Sequence, residues 1–158
     1  MSKSLKRVRA ALEAAGLTPQ ITETKLARTA ADAAEAIGCE VDQIAKSIIF
    51  RGETSGTALL FLTAGGNQVD PDKAAMAANE PLGKADAALV RAQTGFAIGG
   101  VSPVGHLNPI RTFWDPRLSD FSLIWAAAGT PHHVFPSEPA RLLQITNAQP
   151  FDFTFLKK

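Results

Sequence analysis

The sequence predicts an α+β fold built on a mixed or mostly antiparallel sheet, and three features carry that prediction. Two pairs of apolar, partly β-branched runs flank short turn-rich segments and read as hairpins, residues 46–51 with 57–63 and 123–128 with 132–135. Helical stretches with their own capping signals are interleaved with them. The chain has 158 residues, and neither a linker nor a repeat divides it, which fits one domain of the usual size of roughly 100–200 residues. The hairpins exclude a purely parallel sheet, because parallel neighbours need a long crossover.

Each element has its own local cause. Leu5, Val8 and Leu12 recur at i, i+3 and i+7 before Gly16, which predicts the first helix. Residues 20–24 read as a short strand. Thr29 caps a second helix with Asp32 at the capping-box offset, an inner face of Ala30, Ala33, Ala34 and Ile37, and Gly38 as its stop. The first hairpin turns through residues 52–56. Asp70 before Pro71 predicts a cap with proline at the first helical position, and a helix to about Asn79. Asp86 opens another helix, with Leu89 and Val90 inward and Gly95 ending it. Residues 96–98 are expected to form a short strand feeding a glycine-rich loop at 99–106. Residues 111–114 read as extended and Asp115-Pro116 as a capped turn. The second hairpin crosses residues 129–131, and Ser137 is expected to cap a last helix through Leu143. Phe151, Phe153 and Phe155 alternate with polar residues, which predicts a terminal strand.

Composition narrows the function classes. Lys and Arg number 16 and Asp and Glu 15, a net charge of +1, and 46% of residues are hydrophobic. That balance is globular and argues against intrinsic disorder. The single Cys39 excludes an intramolecular disulfide and a thiolate zinc cluster. No apolar run approaches the roughly 18 residues of a membrane span, and the charged opening lacks a signal-peptide core. A cytoplasmic protein with no membrane contact is expected. A protein that wraps a long duplex shows a basic excess. Here the one dense basic cluster is Lys3, Lys6, Arg7 and Arg9, so any nucleic-acid contact is expected to be small and local.

Three places can hold chemistry. Lys46 shares a strand face with Ile48 and Phe50, and an ammonium on an apolar face either exits to water or is aimed into a pocket as a phosphate holder or ester polariser. The loop at 99–106 contains adjacent Gly99 and Gly100, whose backbone can approach a ligand closely, and Pro103 to stiffen it. It lacks the spacing of a phosphate P-loop or a dinucleotide fingerprint. The third is Gly129-Thr130 with His132 and His133. Adjacent histidines on a strand point to opposite faces, so with His106 they make a poor metal site. Cys39 reads as a packed residue, and Ser102 lacks a nucleophile elbow.

The helix capped by Thr29, the run 44–51 around Lys46, the run 94–106 and Ala128-Gly129-Thr130 follow one another in this sequence. In that order they resemble the YbaK/aminoacyl-tRNA synthetase-associated domain family over about residues 5–143. The family includes ProX-type trans-editing relatives of the editing insertion of prolyl-tRNA synthetase. The resemblance implies one compact α+β domain over residues 1–158, a mixed sheet or partial barrel surrounded by helices. It implies hydrolysis of the ester joining a wrongly attached small amino acid to the 3′ adenosine of tRNA. Lys46 falls on the motif lysine, implying a catalytic role at the ester or the 3′ end. Ser47, Gly99, Gly100, Val101, Ser102, Pro103, His106, Gly129 and Thr130 are then implied to bind substrate. No cofactor and no metal are expected. The implied partners are the aminoacyl-tRNA 3′ end and, optionally, an aminoacyl-tRNA synthetase. Ser47 stands where some branches carry Asn, and Ala128 where many carry Gly, so the accepted amino acid does not transfer. The alternative is a non-catalytic module on the same fold that binds a tRNA end or a synthetase.

Overall fold

The computed structural model describes residues 2–156, which form five α-helices and eight strands. Three helices begin and end where the sequence predicts, and the first ends ahead of Gly16 as expected. Ser2 Oγ accepts the Leu5 N–H at 3.1 Å to open α1 (Lys3–Ala14), whose Leu5, Val8 and Leu12 are buried. Thr29 accepts from Asp32 N–H to open α2 (Ala30–Ile37), and Gly38 closes it in the left-handed region at φ 85°. Asp70 caps α3 (Pro71–Ala78), and Asp86 caps α4 (Ala87–Thr94). The last helix, α5 (Pro139–Thr146), departs from expectation at both ends. Its N-cap is Glu138, not Ser137, because Ser137 is extended and pairs with Ile124. Proline favours the first helical position, so Pro139 sets the start one residue later than predicted.

The strands are β1 (Thr22–Glu23), β2 (Ile44–Gly52), β3 (Ala58–Ala64), β4 (Leu82–Lys84), β5 (Arg111–Trp114), β6 (Ile124–Ala127), β7 (His133–Ser137) and β8 (Gln149–Pro150). They form one sheet in the order β1-β7-β6-β2-β3-β5-β8, with β4 also on β2. Pairings β1–β7, β2–β3, β2–β4 and β6–β7 are antiparallel, and β2–β6, β3–β5 and β5–β8 are parallel. The sheet is mixed and stays open, with β1 and β8 at its ends, so it is not closed into a barrel.

β3 lies at the centre and is buried on both faces, which explains its unbroken apolar run. Leu60, Leu62 and Ala64 face the larger core with Leu5, Val8 and Leu12 of α1 and Val90 of α4. Leu59 and Phe61 face a second cluster, where Phe61 stacks on Phe113 at 4.7 Å and meets Phe153 edge-on at 5.0 Å. A third cluster holds Ala33 and Ala34 of α2 against Ile44 and Trp125.

Two predicted strands are absent. Residues 96–98 enter a turn, closed by Gly100 N–H donating to Ala97 C=O at 3.0 Å, with Phe96 buried and Ile98 64% exposed. Three residues between a helix stop and a glycine pair have no neighbouring strand to complete a ladder. The aromatic tail at 151–155 buries Phe153, but its partners are divided. Phe151 N–H donates to Trp114, while Phe153 C=O accepts from Asp70 and Phe155 N–H donates to Gln68. No continuous strand results, and β8 forms just before it.

Where β3 ends, Gly65 lies so close to the Val41 carbonyl and the Ala30 methyl that an added Cβ would collide with both. Gly65→Ala is therefore expected to destabilise the protein by about 1–3 kcal/mol, the usual cost of overpacking, read as a lower urea midpoint at unchanged slope.

Candidate active site

The site begins as a break in the sheet. Gly52 N–H donates to Thr57 C=O at 2.9 Å, which sets the phase of the β2–β3 ladder, so even-numbered residues of β2 direct their main-chain groups at β3. Odd-numbered residues direct theirs at the opposite edge, as Glu53 N–H donating to Pro81 C=O at 2.8 Å shows. On that edge β6 pairs only with Ile44 and Ala45, and β4 begins only at Phe50. Among the described residues, positions 46–49 between them have no strand partner on that side.

A cavity of about 590 Å³ opens at this break and reaches both faces of the sheet. Lys46 stands on the face of Ile48 and Phe50, opposite Thr63, as the strand alternation predicts. Ser47 points to the other face, where its Oγ donates to Val101 C=O at 2.8 Å. That bond fastens the glycine-rich loop to β2 across 54 residues of sequence. Lys46, Ser47, Gly99, Val101 and Thr130 all line the cavity. The amine and the loop, far apart in sequence, thus converge on one space.

Alanines of α2, β6 and the segment before α2 make much of the remaining wall, with Trp125, Ile98 and His133. No carboxylate lines it among the described residues, and its two cationic side chains are Lys46 and Arg28. Burial pushes the Lys46 amine below the ordinary lysine value, and the negative charges of Asp115 and Asp42 pull it partly back. Asp115 is buried at the end of β5. Its Oδ2 accepts from Ala64 N–H at 3.0 Å and Asn67 Nδ2 at 2.9 Å, and its Oδ1 accepts from Arg117 N–H at 3.0 Å. Asp42 accepts from Gly66 N–H at 2.8 Å and from Arg117 Nε at 3.0 Å.

Gly100 supports the wall from behind. A Cβ there would sit 2.9 Å from Thr130 Cα, so only glycine lets the loop pack against the β6–β7 turn. Gly129 takes φ 98°, and a Cβ on it would sit 2.9 Å from Ser4 C=O, so this turn rests on the start of α1. Thr130 Oγ1 accepts from His132 N–H at 3.1 Å and lies 2.7 Å from His133 Nδ1, which orients the His133 ring on the cavity wall.

Ser102, Pro103, His106 and Gly129 do not line this cavity. Ser102 Oγ accepts the Val104 N–H at 3.1 Å, and Ser102 C=O lies 2.7 Å from His106 Nε2. A carbonyl can only accept, so Nε2 carries the His106 proton. Burial lowers the His106 pKa, which favours the neutral ring. Pro103 and His106 line a separate hollow of about 480 Å³ beside α1 and the end of α5. These residues brace the loop whose far end forms the wall.

Sequence reasoning missed Asp115, Asn67, Trp125 and the alanines of α2 as parts of this site. Asp115-Pro116 signalled only a cap, a role Asp115 does fill through Arg117 N–H. His132 and His133 suggest only metal ligands in the sequence; among the described residues no group of three or more His, Cys, Asp or Glu side chains is gathered for a metal. The basic cluster also divides. Arg7 Nη2 donates to Gly95 C=O at 2.7 Å and its guanidinium lies 4.8 Å from the Phe96 ring, while Lys3 and Lys6 are exposed.

Known proteins resemble this chain in sequence and in fold. Residues 24–145 match the model of the aminoacyl-tRNA editing domain. The chain is 30% identical over 144 residues to the uncharacterised protein YwhH of Bacillus subtilis (strain 168), covering 90% of this chain and 91% of that protein. It is 27% identical over 122 residues to the "putative Cys-tRNA(Pro)/Cys-tRNA(Cys) deacylase EbsC" of Enterococcus faecalis (strain ATCC 700802 / V583), covering 77% and 74%. Among solved structures, a "putative trans-editing enzyme for prolyl tRNA synthetase" superimposes with a TM-score of 0.91 at 44% identity over 99% of both chains.

Proposed function

The chain belongs to the aminoacyl-tRNA editing domain family, and from that premise we propose that it hydrolyses the ester of a small, wrongly attached amino acid on tRNA, acting in trans. The observation that carries this reading is the convergence of Lys46 with Gly99 and Val101 on a cavity at the broken edge of β2. The relatives named for trans-editing and for tRNA deacylation support it.

The chemistry asks little of the protein beyond placement, because an aminoacyl ester is already activated. Water attacks the ester carbonyl carbon, the bond to the ribose 3′ oxygen breaks, and the water proton passes to that oxygen. Charge develops on the carbonyl oxygen, and a fixed ammonium with main-chain N–H groups in a water-poor cavity stabilises it. Lys46 supplies the ammonium, and Gly99 and Val101 the main-chain groups. With no carboxylate on the wall, the proton is carried by water or by the neighbouring ribose hydroxyl of the substrate. The alanine-rich wall would select by size, where one methylene is worth about 1–3 kcal/mol. Ser47, Gly99, Val101 and Thr130 are assigned to substrate contact, and Gly100, Ser102, Pro103, His106 and Gly129 to holding those contacts in place. Such a substrate fits a cytoplasmic reaction. Among the described residues no helix is long and apolar enough to cross a membrane.

The test is a panel of tRNAs charged with Ala, Ser, Cys, 2-aminobutyrate and Pro. Release of one small amino acid, with larger or cognate charges spared, is expected. Binding of charged tRNA with no release across the panel would replace this reading by a non-catalytic tRNA-end module.

A further inference from the structure

The phase of the β2 ladder leaves Ser47 in an unusual position. As an odd-numbered residue it directs both its N–H and its C=O to the edge opposite β3. The β6 pairing ends two residues before it and the β4 pairing starts three residues after it. Among the described residues no strand pairing covers Ser47 on that edge, and Ser47 lines the cavity. The Ser47 side chain is turned away and occupied by Val101 C=O. The cavity wall at Ser47 therefore offers one strand residue's donor and acceptor side by side.

What complements one unpaired strand residue is one residue in the extended conformation, whose own N–H and C=O point the same way. An α-aminoacyl ester is such a residue. Its α-ammonium is a donor and its ester carbonyl an acceptor, separated as in a peptide. We infer that the aminoacyl group docks on Ser47 as a single-residue strand, its α-ammonium donating to Ser47 C=O and its ester carbonyl accepting from Ser47 N–H. The inference rests on the aminoacyl-ester reading above and specifies how that site recognises the α-amino acid.

This arrangement divides recognition into two parts. The main chain of Ser47 reads features shared by every α-amino acid, the amino group and the adjacent carbonyl. The substituent at Cα then projects out of the ladder toward the alanine-lined wall, which reads size. A hydrogen bond from the charged ammonium is stronger than one from a neutral donor. A simple carboxylic acid on the same ribose has no donor there, and a hydroxy acid keeps a hydroxyl donor but not the charge.

The experiment uses 3′-amino-3′-deoxyadenosine acylated through a stable amide with L-alanine or with propionate, titrated into the whole protein. Affinity and the Ser47 amide resonance are followed by NMR. The alanyl compound is expected to bind roughly ten- to hundredfold more tightly than the propionyl one, with a shift and slowed exchange at the Ser47 amide. In the acylated-tRNA assay, Ser47→Pro removes this N–H without touching the ladder to β3, since proline is tolerated where a strand N–H faces outward. It is expected to lose more activity than Ser47→Ala, which frees Val101 but keeps the N–H. Should Ser47→Pro not fold, the two ligands decide alone. Equal affinities with the Ser47 amide unmoved, while Gly99 and Val101 respond and charged tRNA is still hydrolysed, overturn the docking mode and leave the deacylase reading standing. Failure of both compounds to bind, together with no hydrolysis of any charged tRNA, overturns both.

Discussion

Lys46→Ala is expected to lower the deacylation rate by about 10²–10³-fold, the usual consequence of removing one preorganised group that stabilises developing charge. The fold should survive, because the replaced side chain lines a cavity and leaves no core void. Unfolding in urea should therefore show a midpoint close to that of the parent. Lys46→Arg keeps the charge but spreads it over a planar fork that needs more room, so it should recover only part of the rate. A Lys46→Ala protein with the parent rate would remove Lys46 from the mechanism.

The same residue sets a pH dependence whose sign can be worked out. Burial holds the Lys46 amine below the ordinary lysine value, and the proposed role needs the charged form. The catalysed rate, after subtraction of spontaneous ester hydrolysis, should fall on an alkaline limb lying below the usual lysine range. Lys46→Ala should lack that limb. Stability moves the opposite way. Between the folded and unfolded pKa values of this amine the unfolded chain binds more protons, so stability contributed by this group rises with pH across that window. Loss of activity on the alkaline limb would thus occur without loss of fold.

Much of the scaffold was legible because its signals are local. Thr29, Asp70 and Asp86 cap helices where polar residues precede apolar repeats, and the two hairpins follow from apolar, partly β-branched runs around turn residues. The misplacements occur where partners remote in sequence decide. Residues 96–98 have strand-like composition but no neighbour. The phenylalanines at 151–155 divide their hydrogen bonds between Trp114 and residues 68–70. β4, three residues containing a glycine, carries no periodic signal of its own and exists because the edge of β2 receives it. The site shows the same limit. The Lys46 strand face followed from alternation, and the loop from its glycines. The break between β6 and β4 depends on how far each partner strand extends, which no window of sequence encodes. The role of Ser47 in tying the loop to β2 is a contact across 54 positions.

Asp115→Ala is expected to be the most destabilising of the substitutions considered, and it also probes how the site is held. Asp115 is 2% exposed, and its carboxylate accepts from the buried Ala64 N–H, the Asn67 amide and the Arg117 N–H. Alanine would strand donors that end β3 and shape the turn behind Lys46. A loss of about 2–4 kcal/mol follows from breaking a buried, charge-assisted network by removing one partner. At roughly 2–4 °C per kcal/mol for a chain of this size, the melting temperature should drop by about 5–15 °C. Asp115→Asn keeps one acceptor oxygen but turns an amide donor toward another donor, so it should fall between. The charge has a second consequence that a bracing role alone does not have. Asp115 is the largest of the influences that raise the Lys46 pKa against the effect of burial. In folded Asp115→Asn, measured well below its melting temperature, the alkaline limb of deacylation should move to lower pH. If the limb stays in place while the melting temperature falls, Asp115 braces the end of β3 and exerts no electrostatic control over the amine.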